Sequence, residues 1–352
     1  MKIGILGDTH FGVRNDSKLF HDYFELYIKN ELIPSLKKNK VTDLFQVGDL
    51  FDNRKWLSLY MINRSKEYFF DALRDNGITL HTLIGNHDIY WRDSLAINSP
   101  MLVLNEYENV HIYNTPTTVK IEDTTIDIIP WICTENKDAV LNFIRNSKSD
   151  LCFGHFEIAS FAMYRGMSAD HGLDMKMFEK YEKVLSGHYH TKSTKGNITY
   201  VGTPWEMTWQ DFNDPRGYHT FDLKSRKLQF YKNPYVKYVR IEYDDKGKEP
   251  VDLKDMNIEG CFIRLVVVNK TDYYKYDLFL QRLQNKGVYD LKIVEDVSEF
   301  TKGELSEEIN LEDTIDVMSK YIDTVDTDID KESVKNFMKT LYIEAMNLND
   351  SL

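Results

Sequence analysis

The stretch Lys2-Ile3-Gly4-Ile5-Leu6-Gly7-Asp8-Thr9-His10 decides how the rest of the chain is interpreted, because an apolar run stops abruptly at a carboxylate and an imidazole. Side chains two residues apart in an extended segment point the same way, so Asp8 and His10 can reach one object beyond the end of a strand. A metal ion is such an object. If it is one, the ends of other strands must supply further ligands.

Four later stretches show the same pattern, in which an apolar run and a glycine lead into polar side chains. They end in Gly48-Asp49, Gly85-Asn86-His87-Asp88, Gly154-His155 and Gly187-His188-Tyr189-His190. Five of the ten histidines of the chain lie within three residues of such a glycine. Because the carboxyl ends of strands meet along one edge of an α/β sheet, we expect these side chains to converge there.

The expected ligands are oxygen and nitrogen donors with no thiolate, a set that suits Mn²⁺, Fe²⁺ or Zn²⁺ better than Ca²⁺. They are Asp8, His10, Asp49, Asn86, His155, His188 and His190. Seven ligands are too many for one ion with an open position, but they suit two ions about 3.5–4 Å apart that share a carboxylate. Asp49 is the natural bridge.

The pattern of residues 1 to about 130 predicts an α/β domain in which short strands alternate with helices, and further short strands are expected from residue 199 to 243. Helices are expected near residues 19–40 and 56–76. The apolar surface of the second helix either packs on the sheet or forms a dimer face, and the sequence leaves both open. A polar segment with Gly247 and Pro250 then marks a boundary, after which residues 250–298 fit a compact β-α-β unit.

Residues 303–352 are predicted to form two amphipathic helices. Apolar residues recur in steps of three and four, first from Leu311 to Val325 and then from Val334 to Leu348. The net charge of the chain is −12, and all of the acidic excess lies after residue 240. Two helices cannot cover both of their own apolar stripes, so these stripes need another surface to pack against.

Composition excludes several classes of protein. No run of about 18 uncharged apolar residues occurs, which argues against a transmembrane helix. The three cysteines are widely separated and fit no zinc spacing, and the first residues lack a secretion signal, so we expect reduced core cysteines and a cytoplasmic location. The chain has no phosphate-binding Gly-x-x-x-x-Gly-Lys-Ser/Thr motif, so any ATP dependence must come from a partner.

The ordered set of ligand stretches resembles the calcineurin-like metallophosphoesterase superfamily. Gly48-Asp49-Leu50-Phe51 and the appended C-terminal parts are similar to nucleases of the SbcD type. Three further blocks resemble the recombination nuclease subunits of T-even-type bacteriophages, which would place the protein in the host cytoplasm; these blocks are residues 129–131, 202–205 and 213–217. The resemblance implies a layered α-β-β-α sandwich over residues 1–243, a DNA-binding β-α-β cap over 250–298 and an ATPase-binding helix pair over 303–352.

The resemblance also assigns roles to individual residues. One metal would be held by Asp8, His10, Asp49 and His190, and the other by Asp49, Asn86, His155 and His188. His87 would protonate the leaving oxygen or stabilise the charge of the transition state, with Asp88 orienting its loop. Cellular members of this nuclease family usually carry a histidine where this chain has Asp52, which would instead orient His87 or cap a turn.

The resulting functional prediction is a DNA nuclease that uses two divalent ions, Mn²⁺ foremost and Mg²⁺, Fe²⁺ or Zn²⁺ as alternatives. It would act as a 3'-5' exonuclease and single-strand endonuclease in recombination and double-strand-break processing, as a homodimer bound to an SbcC-type ABC ATPase. Because a metal site alone does not choose the substrate, a phosphomonoesterase or cyclic-nucleotide phosphodiesterase remains an alternative. A non-catalytic tether of DNA ends is a third possibility, although it predicts lost ligands and all seven are present.

Overall fold

Two six-stranded sheets make up most of the molecule. A computed structural model describes residues 1–164, 167, 168, 172–295, 331 and 334. In the first sheet the strands lie in the order Leu228–Lys232, Gly217–Asp222, Lys2–Leu6, Asp43–Gln46, Thr79–Leu83 and Val110–Tyr113. In the second they lie in the order Ser193–Lys195, Ile198–Tyr200, Lys183–Gly187, Leu151–His155, Thr124–Ile129 and Thr117–Ile121.

The strands that carry the predicted ligands are neighbours and run parallel. Gly4 pairs with Leu44 and Leu44 with Leu80 in the first sheet, while Lys183 pairs with Leu151 in the second. Parallel strands place all their carboxyl ends at one edge. The five ligand stretches therefore start from two edges, three of them in the first sheet and two in the second.

Apolar side chains fill three separate layers. Ile5 and Phe45 of the first sheet meet Phe153 and Leu185 of the second in one buried cluster between the sheets. The outer faces of the two sheets are each covered by helices or turns with their own buried cluster. The prediction of a layered α-β-β-α sandwich is therefore confirmed.

The helices also lie close to where the sequence pattern places them. Two long helical segments cover the first sheet, and each contains a five-residue π-helical turn. The first comprises Lys18–Tyr27, Ile28–Leu32 and Ile33–Lys38, and the second Leu59–Ser65, Lys66–Phe70 and Asp71–Asp75. Between residues 1 and 295, the other described helices and turns are Val13–Asp16, Ser99–Leu104, Lys137–Asn146, Met175–Phe178, Trp209–Asp211 and Tyr273–Gln284. Short strands at Ala162–Tyr164 and Met167–Ser168 form a two-stranded sheet.

The helical segment from residue 59 to 75 packs on the sandwich. Tyr68, Phe69, Phe70 and Leu73 have no exposed surface and belong to the buried cluster of the first sheet. The sequence left open whether this helix packs on the sheet or forms a dimer face, and the structure shows that it packs on the sheet. Leu59 at its start is 85% exposed, so the outer side of the segment remains open to solvent.

A small three-stranded sheet follows the sandwich. Its parallel strands are Tyr238–Asp244, Phe262–Asn269 and Asp290–Val294, with the helix Tyr273–Gln284 packed against them. The predicted β-α-β unit is present, and the strand that begins at Tyr238 joins it from the preceding segment. Phe262 packs against Phe20 of the first helical segment, and Arg264 lies over the ring of Trp209; these contacts attach the small sheet to the sandwich.

The predicted C-terminal helix pair lies outside the described residues except for Lys331 and Val334, which are helical. Within the described part of the chain, no helix combines the length and apolar character needed to cross a membrane. Cys133, Cys152 and Cys261 are all described, buried and free of disulfide bonds, as the sequence predicts.

Glu206 holds the start of the small sheet against the sandwich. Its carboxyl group accepts hydrogen bonds from the backbone N–H groups of Lys237 and Tyr238. Burial raises the pKa of Glu206 from 4.5 to about 7. The folded state therefore favours the neutral acid, and the stability this group contributes is lost as the pH rises from about 4.5 to 7.

We predict that Glu206→Gln stabilises the protein at pH 8 relative to wild type, by up to about 3 kcal/mol, because glutamine cannot ionise. At pH 5 the two proteins should differ little. Urea unfolding at both pH values measures this difference. A variant that is less stable than wild type at pH 8 by more than at pH 5 would show that the ionised carboxylate is the stabilising form.

Candidate metal centre

The first group of potential ligands lies beyond the strand Lys2–Leu6. Asp8, His10 and His190 offer ligand atoms that all lie within 4.8 Å of one another. Nε2 of His10 is 3.1 Å from Nε2 of His190, which is 3.8 Å from Oδ2 of Asp8. The structure therefore brings His10 of the opening Asp-Thr-His stretch against a residue 180 positions later in the chain.

The second group contains Asp49, His155 and His188, again with ligand atoms within 4.8 Å. Oδ1 of Asn86 lies between the two imidazoles, 3.0 Å from Nε2 of His155 and 3.0 Å from Nδ1 of His188. Oδ2 of Asp49 is 3.2 Å from Nε2 of His155 and 3.8 Å from Nε2 of His10. Asp49 therefore adjoins both groups, the position expected of a bridging ligand.

Lone pairs converge on the space between these side chains. Nδ1 of His155 lies 2.8 Å from the carbonyl oxygen of Val47, which can only accept, so this nitrogen carries the proton. In the neutral ring Nε2 then presents a lone pair, and it faces the oxygens of Asn86 and Asp49. Donor atoms bound to one ion at about 2.1 Å lie about 3 Å apart when they are at right angles. The donor set and its spacing thus fit a divalent metal.

The electrostatics of the site favour positive charge in the same place. Burial lowers the pKa of His155, but Asp49 and Asp8 outweigh it and raise the value to about 9. Burial likewise opposes protonation of His10, yet Asp52 and Asp49 bring its pKa to about 9. Protons and metal ions compete for these nitrogens, so acid should weaken metal binding.

Three of the predicted ligands adopt a backbone conformation that most residues avoid. The φ angles of His10, Asp49 and His188 are 44°, 51° and 87°, in the left-handed region. Non-glycine residues are held there only when surrounding contacts fix the backbone, and such positions cluster at functional sites. Positive φ angles at these residues turn the chain sharply after each strand and direct the three side chains into the site.

Two glycines allow the ligand loops to approach one another. A Cβ atom on Gly48 would lie 2.4 Å from Nδ1 of His155, and Gly48 has a φ of 93°. A Cβ atom on Gly85 would lie 2.2 Å from both the backbone nitrogen and Oδ1 of Asp49. The glycines that precede Asp49 and Asn86 in the sequence are thus explained by close packing at the site.

The three remaining predicted site residues lie beside the ligands. His87 is partly exposed, its ring centroid is 4.8 Å from that of His10, and its Nδ1 donates to the carbonyl oxygen of Asp52 over 2.7 Å. The carboxylate of Asp88 is buried and accepts from the backbone N–H groups of Gly85, Leu50 and Phe51. Its contacts connect two ligand loops rather than reach the space between the ligands.

Asp52 contacts a different partner from the one proposed from the sequence. Its Oδ1 lies 3.2 Å from Nδ1 of His10, close enough for an ion pair although the ring N–H does not point straight at the oxygen. Only its backbone carbonyl contacts His87. The side chain therefore acts on a predicted metal ligand.

Three residues support the site without having been assigned a role from the sequence. Trp205 is fully buried, stacks on Phe24 and donates from Nε1 to the carbonyl oxygen of Thr9. The ring of Trp131 lies 5.1 Å from that of His188. Arg216 is buried, donates to the carbonyl oxygen of His190 and pairs with Asp211 and Asp214. All three belong to the sequence blocks at residues 129–131, 202–205 and 213–217, and these blocks were the signal that could have found them.

Comparison with known families agrees with this geometry. A family model described as calcineurin-like phosphoesterase matches residues 1–192, more than half of the chain. The chain belongs to the calcineurin-like phosphoesterase family. It is therefore a metal-dependent phosphodiesterase, and the two ligand groups are where the divalent metal of this family would bind.

Individual relatives support the same conclusion. The chain is 36% identical over 347 residues to "Exonuclease subunit 1" of Enterobacteria phage T4, covering 98% of this chain and 99% of that protein. It is 22% identical over 312 residues to an SbcCD nuclease subunit of Staphylococcus epidermidis, with 79% of each chain covered. The corresponding protein of Staphylococcus saprophyticus is 23% identical over 298 residues, or 72% of this chain and 75% of that one. The predicted family resemblance is confirmed.

We predict that Gly85→Ala removes metal from the protein, because the added methyl group must displace Asp49. Overpacking of this kind should also cost about 1–3 kcal/mol of stability. Metal content by mass spectrometry and urea unfolding measure the two effects. Gly77→Ala is the control: Gly77 has a φ of 64°, so its alanine variant carries backbone strain, but no atom lies within 4 Å of the added group. Normal metal content in Gly85→Ala would show that the Asp49 loop tolerates the shift.

Proposed function

We propose that this protein is a two-metal DNA nuclease, the nuclease subunit of an ATPase–nuclease complex in recombination and double-strand-break processing. One observation carries the proposal: the seven predicted ligands from five loops converge around Asp49, which adjoins His10 on one side and His155 on the other, in a chain related over nearly its whole length to a phage exonuclease subunit. Its activities would be 3'-5' exonuclease and single-strand endonuclease. The Staphylococcus relatives carry a nuclease name as well, which favours DNA over a small phosphoester as substrate.

The ligand groups fit one ion on each side of Asp49. Asp8, His10 and His190 would complete the first site, and Asn86, His155 and His188 the second. Divalent ions bound there would supply charge that neutralises a phosphodiester and lowers the pKa of a bound water. The four imidazoles favour Mn²⁺, Fe²⁺ or Zn²⁺ over Mg²⁺, and we propose Mn²⁺.

His87 is the proposed catalytic residue. Its Nδ1 is engaged by the carbonyl oxygen of Asp52, so Nε2 is the nitrogen left for substrate. From the imidazolium form, Nε2 can donate a proton to the leaving oxygen or a hydrogen bond to the charge that develops on the phosphoryl group. Asp88 and Asp52 are positioning residues in this proposal, since Asp88 joins the loops of Asp49 and His87 and Asp52 orients His10.

The expected partners are DNA, an SbcC-type ABC ATPase and a second copy of the chain. The small sheet after residue 237 would act as the DNA-binding cap. The predicted helices of residues 303–352 would dock on the ATPase, because their apolar stripes need a cover. The absence of a nucleotide-binding Gly-x-x-x-x-Gly-Lys-Ser/Thr motif in the chain is consistent with ATP hydrolysis by the partner.

We predict that Asn86→Ala and His87→Ala abolish DNA cleavage for different reasons. Loss of Asn86 should weaken Mn²⁺ binding by more than about tenfold, as loss of a ligand does. Loss of His87 should leave Mn²⁺ binding intact and lower kcat by about 10²- to 10⁴-fold. Metal titration and cleavage of a defined oligonucleotide separate the two effects. If His87→Ala also loses Mn²⁺, His87 is a ligand, and its position near His10 and Asp49 allows that outcome.

We predict that deletion of residues 303–352 abolishes association with the ATPase and leaves Mn²⁺-dependent cleavage of a single-stranded oligonucleotide unchanged. Co-purification of the two full-length subunits, compared with the truncated one, tests the first part. The physical reason is that the deleted segment contributes none of the seven ligands. Retained association would place the ATPase contact within the first 302 residues.

A further inference from the structure

Two surface loops beside the metal centre each expose a tryptophan next to basic residues. One loop follows Asp52 and contains Arg54, Lys55 and Trp56; the other follows Asp88 and contains Tyr90, Trp91 and Arg92. Trp56 is 49% and Trp91 53% exposed. About half of each ring is left in solvent, so packing within the protein uses only part of its surface and the rest can contact a ligand.

Both loops begin at residues that contact the metal centre. The hydrogen bond from Nδ1 of His87 to the carbonyl oxygen of Asp52 connects the first residues of the two loops. Trp56 follows Asp52 by four residues, and Trp91 follows His87 by four. A chain of four residues spans at most about 14 Å. Both rings therefore lie within reach of the first few bases beside a phosphate bound at the metals.

Local contacts fix the shape of each loop. In the first, the side chain of Asn53 accepts hydrogen bonds from the backbone N–H groups of Lys55 and Trp56, and Ser58 caps the helix that follows. The turn therefore presents the Trp56 ring to solvent instead of folding it onto the core. A loop whose backbone is already fixed loses little conformational freedom when a ligand stacks on its side chain.

The second loop is closed at its base by a bridge between Ile89 and Asn98 and by a hydrogen bond from Tyr90 to Ile97. Leu95 is buried, and its backbone N–H donates to Glu135, which holds the middle of the loop. The ring of Trp91 packs edge-on against Tyr90 with the centroids 4.5 Å apart. Because the loop is held at both its ends and its middle, the Trp91 ring is kept in place by Tyr90 and offers a stable surface for stacking.

We propose that Trp56 and Trp91 stack on unpaired bases that flank the phosphate to be cut, so that the two loops bind single-stranded DNA. The inference rests on the proposed nuclease function and extends it from the phosphate to the bases. Aromatic faces accept any base, and the adjacent Arg and Lys side chains match the charge of the backbone. Neither ring recognises sequence, so the loops select for strands whose bases are free to leave the helix.

The test uses the full-length protein with the variants Trp56→Ala, Trp91→Ala and the double variant. Two measurements are made: the Kd of a labelled single-stranded oligonucleotide in EDTA, and the KM for its cleavage with Mn²⁺. Each alanine variant should raise both by about 5- to 100-fold. Trp91→Phe keeps a stacking face and should retain most of the affinity, while Leu59→Ala removes an exposed apolar side chain without a ring and should change nothing.

Two further substrates separate the possible failures. Hydrolysis of bis(p-nitrophenyl) phosphate should differ much less between wild type and variants than oligonucleotide cleavage does, because its two rings can stack only directly beside the phosphate and no strand flanks them. An oligonucleotide with abasic sites around the cleaved bond should bind wild type and Trp91→Ala equally. If wild type hydrolyses the small diester but no DNA, the proposed nuclease function fails and the inference with it.

If wild type cuts DNA and the alanine variants bind and cut it equally well, the inference alone is overturned. The same holds if the variants keep their DNA affinity but lose self-association in sedimentation, which would assign the tryptophans to a contact between copies of the chain.

Discussion

The carboxylate of Asp49 is the contact on which the rest of the site depends. It accepts the backbone N–H of His87 through Oδ1, and its Oδ2 faces His155 and His10. Burial opposes its charge, but the surrounding imidazoles of His155 and His87 hold its pKa well below the usual range. The ionised Asp49 carboxylate therefore contacts predicted ligands of both metal sites and also holds the loop that carries His87, the proposed catalytic residue.

This arrangement requires the two sheets to pack face to face. Asp49 extends from the first sheet and His155 from the second, and the contacts between His155 and Val47 and between His188 and Asp8 also cross from one sheet to the other. The apolar layer between the sheets sets their separation. Site geometry is consequently a product of core packing, and the glycines at Gly48 and Gly85 make the close approach possible.

Strand ends and surface loops contribute different parts of the site, which is one way in which a single fold can act on different substrates. Strand ends hold the predicted metal ligands, and a metal site alone does not choose among phosphoesters. The loops that begin at Asp52 and Asp88 lie outside this set and carry the exposed tryptophans. Both loops begin beside His87, the proposed catalytic residue. A nucleobase stacked on either tryptophan ring would therefore also position the phosphate relative to His87.

The sequence by itself determined the α/β class, most helices and strands, and the ligand candidates, because short apolar runs that end in glycine and a polar side chain mark buried parallel strands and their functional edge. The layered sandwich followed from the family resemblance that these motifs carry. The pairing of ligands into two groups depended on tertiary structure, since His10 meets a histidine 180 residues away. So did the role of Asp52, whose carboxylate faces His10 although His87 touches its carbonyl. Side-chain direction at a turn follows from backbone angles and neighbouring packing, which a linear pattern does not contain.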